Sequence, residues 1–361
     1  MQSKALRAIS ALVLLLGGMV ALLAWLGRTP KSARVRSSES PQSEESTAQI
    51  PAAAQRSADV ATRAKLPGEQ ASSGALFAHF GWGSGQSGLA RDRPEEANPE
   101  APMSLLATED GAIILDQLNG RVVHVDKKGK FVREDRLHVQ AAQEMARGPN
   151  GELAVMDRLV SKEVEIFDKT GRSIGTLPLE GKGIDNGGAT SGLFVSGGKV
   201  YAEREHSVVI ELGSLSGQVS TERTVLSGRP TRDGTALLSA GRGDADHSHI
   251  WVNSFDIARK TMRWARDVGL GISVRQILFL ETDAKGTVYL ATELARSDED
   301  VSTLLLCMSG ADGHVLGQVS VPTNTMPEET FRDFSVRDDG TVLYVHRTEQ
   351  GSNYLEFHCP P

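Results

Sequence analysis

Residues 111–126 read GAIILDQLNGRVVHVD, two short runs of β-branched and apolar residues around a polar turn. Ile113, Ile114 and Leu115 form the first run, and Val122, Val123 and Val125 the second. Asp110-Gly111, Asn119-Gly120 and Lys127-Lys128-Gly129 bound them, the turn chemistry of an antiparallel meander. Working outward, the pattern predicts four strands, over 104–108, 112–117, 121–126 and 131–135. A lone four-stranded meander buries too little apolar surface to stand by itself, so the unit has to recur.

The turn between the first two strands recurs at Gly151, Gly198, Gly234, Gly286 and Gly340, each followed by an apolar run such as LAVMD, KVYAE or TVLYV. Counted from Gly111, the spacings are 40, 47, 36, 52 and 54 residues. That period fits β-propeller blades and exceeds that of leucine-rich or most helical repeats. Six blades are predicted, beginning near Ser104, Ala142, Ser191, Arg229, Gln276 and Phe331. The sixth has only three strands of its own, and 75–83, ALFAHFGWG, is the strand-like run that can complete it. Closure of this kind pairs an edge that would otherwise leave a row of backbone donors and acceptors open.

Phe80, Gly81, Trp82 and Gly83, then Gly85, Gly88 and Pro102, then Asp110-Gly111, Leu115-Asp116, Asn119, Arg121-Val122, Asp126 and Gly129 together resemble a repeat of the NHL β-propeller family. Val155 to Arg158, with Ile166, Phe167, Asp168 and Gly171, is a looser second copy. From residue 184 onward the turns persist and the Asp, Asn and Arg signature is lost. The resemblance implies an all-β, six-bladed NHL-like propeller over 75–361. It does not imply one activity, because such propellers serve as protein, RNA or ligand platforms and sometimes as enzymes.

Before the propeller come a short tail at 1–7, an uncharged stretch at 8–27 and a polar segment at 28–74. The 20 residues of 8–27 match the length of a helix that spans a bilayer core, and no small-x-small cleavage site follows them. We expect a retained transmembrane anchor. The Ser, Ala, Glu, Gln and Pro composition of 28–74 cannot bury a core and reads as a disordered linker. Lys4 and Arg7 precede the anchor and Arg28, Lys31, Arg34 and Arg36 follow it; a large domain after an anchor translocates with little regard to flanking charge. The expected location is a single-pass inner or plasma membrane with the propeller on the extracytoplasmic side.

Beyond residue 36 the chain carries 33 basic against 46 acidic residues. An acidic body repels nucleic acid, which argues against an RNA-binding role. The function expected is that of a protein-binding scaffold at the cell envelope, non-catalytic and without a cofactor, with a small-molecule ligand as a further partner class. The docking residues expected are those of the loops joining second to third strands, where rigid scaffolds carry recognition: Asn119, Glu163, His206, Asp244, Asp246, His247, His249, Asp298, Glu299 and Asp300. That set predicts a partner with a basic patch.

The alternative is a metal-dependent, lactonase-like hydrolase with Glu144 and Asp333, at the entries of innermost strands, holding a metal in the central channel. Such a site needs several convergent oxygen ligands, and Ser104, Ser191, Ser227 and Phe279 fill the equivalent positions. Asp244, Asp246, His247 and His249 lack any strong ligand spacing. Asp116 and Arg121 look like a catalytic pair, but a residue type that recurs blade by blade more often satisfies loop backbone. Cys307 and Cys359 fall late in the third strands of neighbouring blades, a separation that predicts two unpaired thiols.

Overall fold

The computed structural model describes residues 74–243 and 247–359. The predicted anchor at 8–27 and the linker up to residue 73 lie outside them. Among the described residues no helix is long and apolar enough to cross a membrane.

Two strands, β1 (Ala75–Trp82) and β2 (Gly88–Leu89), come before the repeats. Blade one is β3 (Ser104–Thr108), β4 (Gly111–Asp116), β5 (Arg121–Asp126) and β6 (Phe131–Arg136). Blade two is β7 (Glu144–Arg147), β8 (Leu153–Asp157), β9 (Glu163–Phe167) and β10 (Ser173–Pro178). Blade three is β11 (Thr190–Ser196), β12 (Lys199–Arg204), β13 (Val208–Ser214) and β14 (Val225–Leu226). Blade four is β15 (Arg229–Pro230), β16 (Ala236–Arg242), β17 (His249–Asp256) and β18 (Thr261–Gly269). Blade five is β19 (Ser273–Thr282), β20 (Val288–Ala295), β21 (Val301–Met308) and β22 (Val315–Val321). Blade six is β23 (Phe334–Val336), β24 (Val342–Thr348) and β25 (Gly351–Phe357), completed from the other end of the domain by β1.

The blades are antiparallel meanders, blade six carrying β2 as a fifth strand parallel to β1, so turns from first to second and from third to fourth strands gather at one end, the turn face. Turns from second to third strands and the crossings between blades gather at the other, the loop face. Alternation along each strand sends side chains to the two neighbouring blades. Leu105, Ile114 and Val123 of blade one thus pack with Phe77, Phe80, Leu343 and Tyr354 of blade six. Blades two and three share Met156, Val164, Ile166, Leu193, Val200 and Ile210.

Closure is made by β1, whose residues from Ala75 to Gly81 pair with β25 from Glu356 to Gly351. It buries Phe77 and Phe80, each worth about 1.5–3 kcal/mol on removal from water. Gly129, in the last turn of blade one, has φ of 70° and sits against the Phe77 carbonyl oxygen, where any Cβ would collide. The Gly of this turn therefore serves both the bend and the seam.

The aspartates of the repeat are turn caps. Asp126 Oδ1 accepts from the backbone N–H of Lys128 and Lys130 at 2.8 and 2.9 Å, and Asp283 Oδ1 does the same for Lys285 and Thr287. Asp116 accepts from Ala90 N at 2.9 Å and from Arg121 Nε at 2.7 Å, while Arg121 Nη2 donates to Gly85 and Gly88 carbonyls. This pair anchors the segment that leaves β1 and crosses the loop face. Farther along that segment Arg93 binds Glu328 at 2.6 Å and Glu349 at 3.1 Å, strapping the closing strand to blade six.

Candidate functional site

The first strand of every blade faces the central axis, and the space they enclose is a blind funnel of about 700 Å³. Glu109, Arg147, Gly197, Asp233 and Asp338 ring its mouth. All belong to or adjoin turns from first to second strands, so the funnel opens on the turn face, away from the predicted docking loops. Arg232 is held there by Asp338 and by the Val336 carbonyl oxygen, whereas Arg147 forms no ion pair among the described residues.

Arg332 closes the inner end. Its guanidinium donates to Glu144 Oε2 at 3.1 Å, Glu281 Oε1 at 2.9 Å and the Leu193 carbonyl oxygen at 3.2 Å, tying blade six to blades two, five and three. Glu144 also accepts from Ser104 Oγ at 2.5 Å and from Met145 N at 2.8 Å. Burial pushes the Glu144 carboxyl above its ordinary range, against the pull of Arg332 and these hydrogen bonds. Asp333, the other carboxylate of the predicted metal pair, is bound in a fork by Arg347 at 2.6 and 3.0 Å and accepts from Asn324. The two carboxylates thus answer to different arginines, and among the described residues no three His, Cys, Asp or Glu side chains converge as a metal cluster.

The predicted docking residues are distributed around the loop face over blades one to five, and several are tied into the scaffold. Asn119 donates to the Gly83 carbonyl and to Asp116. His206 lies 3.3 Å from Glu203, His249 Nδ1 is 2.8 Å from Asp267, and His247 Nδ1 is 3.3 Å from the Gly243 carbonyl oxygen. Glu163 is half-buried at the start of β9. Asp300 pairs with Arg296 at 3.3 Å, and Asp298 and Glu299 are exposed beside it. Asp244 and Asp246 lie outside the described residues.

One group of arginines lies outside the sequence-predicted docking set. Arg158, Arg204 and Arg223 all donate to carbonyl oxygens of the crossing from blade two to blade three. Arg158 Nη1 reaches Gly188 and Thr190, both at 3.0 Å, and Arg204 Nη1 reaches Gly183 at 2.7 Å. Arg223 reaches Pro178 at 2.8 Å and Glu180 at 3.1 Å. None of the three forms a carboxylate ion pair among the described residues. Burial accordingly lowers the pKa of Arg158 and Arg223 below the ordinary guanidinium value. The sequence signal was the Gly-rich run GKGIDNGGAT at 181–190, a crossing with few side chains of its own to hold it in place.

The expectation of two separate thiols is corrected: Cys307 and Cys359 form a disulfide, with Cα atoms 6.1 Å apart. Cys307 is buried in β21. Cys359 lies past the end of β25 rather than within it, so it is free of the blade spacing and packs over the seam between blades five and six with Phe357 and Val336.

No family model matches the chain, and no curated protein matches it. Among solved structures, hydrazine synthase from Kuenenia stuttgartiensis aligns with a TM-score of 0.45 and 13% identity, over 70% of this chain and 76% of that one. The WD40 repeats of RRP9 align with a TM-score of 0.45 and 11% identity, over 80% and 99%. BamB from Moraxella catarrhalis aligns with a TM-score of 0.39 and 10% identity, over 74% and 100%. The chain is a six-bladed β-propeller on the strength of its own sheets.

Proposed function

We propose that this propeller, NHL-like in its first blades, is a non-catalytic protein-binding scaffold, tethered through residues 8–27 and held on the extracytoplasmic side of the cell envelope. One observation carries the choice of binding over hydrolysis: the carboxylates that a channel metal would need, Glu144 and Asp333, are each engaged by an arginine. The channel floor is a salt-bridged plug, which suits a rigid platform. The Cys307–Cys359 bridge supports the extracytoplasmic side, because such bridges persist in oxidising compartments.

The test is affinity capture from envelope extract with the full-length protein, alongside lactone turnover in the presence of Ca²⁺. Capture of a defined protein at near-stoichiometric yield is the expected result. Ca²⁺-dependent lactone turnover lost in Glu144→Gln would overturn the reading.

A further inference from the structure

Over blades two and three the loop face carries a crest of two guanidinium groups, Arg158 and Arg204, that have no carboxylate within ion-pair distance among the described residues; Glu329 acts on Arg158 only from farther away. The basic residues beside them do: Lys162 pairs with Glu180 at 2.7 Å and Lys182 with Glu222 at 2.6 Å. The exposed acids of the same rim, Asp185 and Glu205, pair with neither arginine. Arg223 is a clamp, with both Nη atoms committed to carbonyl oxygens. Arg158 and Arg204 commit only Nη1. The Nε of each is buried and unpartnered, as is Oγ1 of Thr190 between them; Thr190 is opposite Arg204 in the β11–β12 register and its carbonyl accepts from Arg158.

A neutral donor would hold the carbonyls equally well, and a guanidinium taken partly out of water without a counter-charge is costly. Its planar fork is suited to a carboxylate. Arg158 is also stacked 5.0 Å over the Phe331 ring, which fixes its orientation. Next to it, at the tip of the same turn, Leu159 and Val160 are 56% and 55% exposed. Two adjacent aliphatic side chains presented to water beside unpaired cations form an apolar contact with a charged rim.

We propose that this crest docks an acidic, aliphatic segment of a partner protein, Arg158 and Arg204 taking its carboxylates while Leu159 and Val160 pack against its apolar side chains. The proposal rests on the scaffold reading and deepens it by naming the partner's chemistry. A protein segment fits better than lipid headgroups because the planar guanidinium forks suit carboxylates and stand beside two exposed aliphatic side chains, Leu159 and Val160.

The experiment measures fluorescence anisotropy of a short labelled peptide of Glu, Leu and Ser with the full-length protein in neutral detergent. A Gln-for-Glu peptide and phosphatidylglycerol vesicles are the comparison probes. Arg158→Gln should weaken the Glu peptide by about tenfold or more. Because Arg158 also holds the crossing, Val160→Glu and Val160→Lys supply the independent check: at this exposed site the first should weaken binding and the second tighten it. Equal affinity for the Gln peptide, equal effects of the two Val160 variants, or binding to vesicles alone would overturn the proposal. An envelope partner whose capture is indifferent to Val160→Glu removes the crest and leaves the scaffold reading standing. Loss of all capture, with peptide binding intact, does the reverse.

Discussion

Reducing the Cys307–Cys359 bridge should cost the propeller stability without abolishing its fold. The two residues are 52 apart in sequence, and the loop they close contains β22 to β25, most of the last blade. Closing a loop of that length removes chain entropy from the unfolded state worth about 4 kcal/mol. For a domain of roughly 280 residues the unfolding entropy is about 600 cal/mol/K, so the midpoint should fall by about 7 °C. Reduction is the cleaner perturbation, because Cys307 is fully buried and replacing it would add a packing cost; Cys359→Ser provides the matching variant at the half-buried end. The assay is thermal unfolding by circular dichroism with and without a non-thiol reductant, with free thiols counted under denaturing conditions. Wild-type protein should lose its excess stability on reduction, and Cys359→Ser should be insensitive to the reductant. Two alkylatable thiols in oxidised protein, or an unchanged midpoint on reduction, would refute the bridge as a staple of the ring.

Other consequences follow from the same contacts. Glu203 is buried, but hydrogen bonds and charge from His206 and Arg229 overcome that burial and hold its carboxyl down to about 2. Its ordinary value is 4.5, so it should contribute on the order of 3 kcal/mol, fully present above about pH 4.5 and lost as pH falls toward 2. Glu203→Gln should flatten the acid-unfolding curve in that window, and an unaltered curve would count against the blade three to four ion pair. Arg332→Leu leaves Glu144 and Glu281 without their shared cation and should destabilise by about 3–5 kcal/mol in denaturant titration; a neutral effect would mean the plug is dispensable. Deleting 75–83 opens the edge of β25 and should abolish the cooperative melt, whereas deleting 41–65 should leave the midpoint unchanged. Equal midpoints for the two deletions would refute closure by β1. Reversing Asp298, Glu299 and Asp300 should weaken capture of a basic partner surface in a salt-sensitive way more than reversing Lys127 and Lys128, and the opposite order would place docking on the turn face.

The blade pattern was legible because its determinants are local. Asp126 caps a turn two to four residues away, Gly129 supplies the positive φ of that turn, and Val122, Val123 and Val125 announce a strand by their own chemistry. Closure by β1 was legible for a different reason: an incomplete last blade and an orphan strand-like run have one economical pairing. The contacts that define the interior of the ring have no such local trace. Arg332 meets Glu144 across 188 residues of sequence, and nothing in either neighbourhood names the other. Cys359 escapes the spacing expected of third strands because β25 ends at Phe357, and two residues farther on the chain is no longer bound to strand geometry.

Charge shows most clearly where residue type misleads. The predicted docking loops point to a basic partner and the acidic excess of the body argues against nucleic acid, yet neither says which charges are already spent. Many of the acids are consumed within the fold: Asp126, Asp283 and Asp339 on turn amides, Asp116 on Arg121, Glu144 on Arg332. Arg158 and Arg204, a small minority of the charges, keep theirs available beside two exposed aliphatic side chains. Recognition on a propeller follows from such residual valence rather than from composition, and in the blade two and three sector it includes the guanidinium groups of Arg158 and Arg204 beside the exposed Asp185 and Glu205. The loop face therefore presents Asp298 and Glu299 exposed on blade five and the guanidinium groups of Arg158 and Arg204 on blades two and three. A partner that spans the ring would meet acids over blade five and two guanidinium groups over blades two and three, an asymmetry that favours one orientation on the loop face.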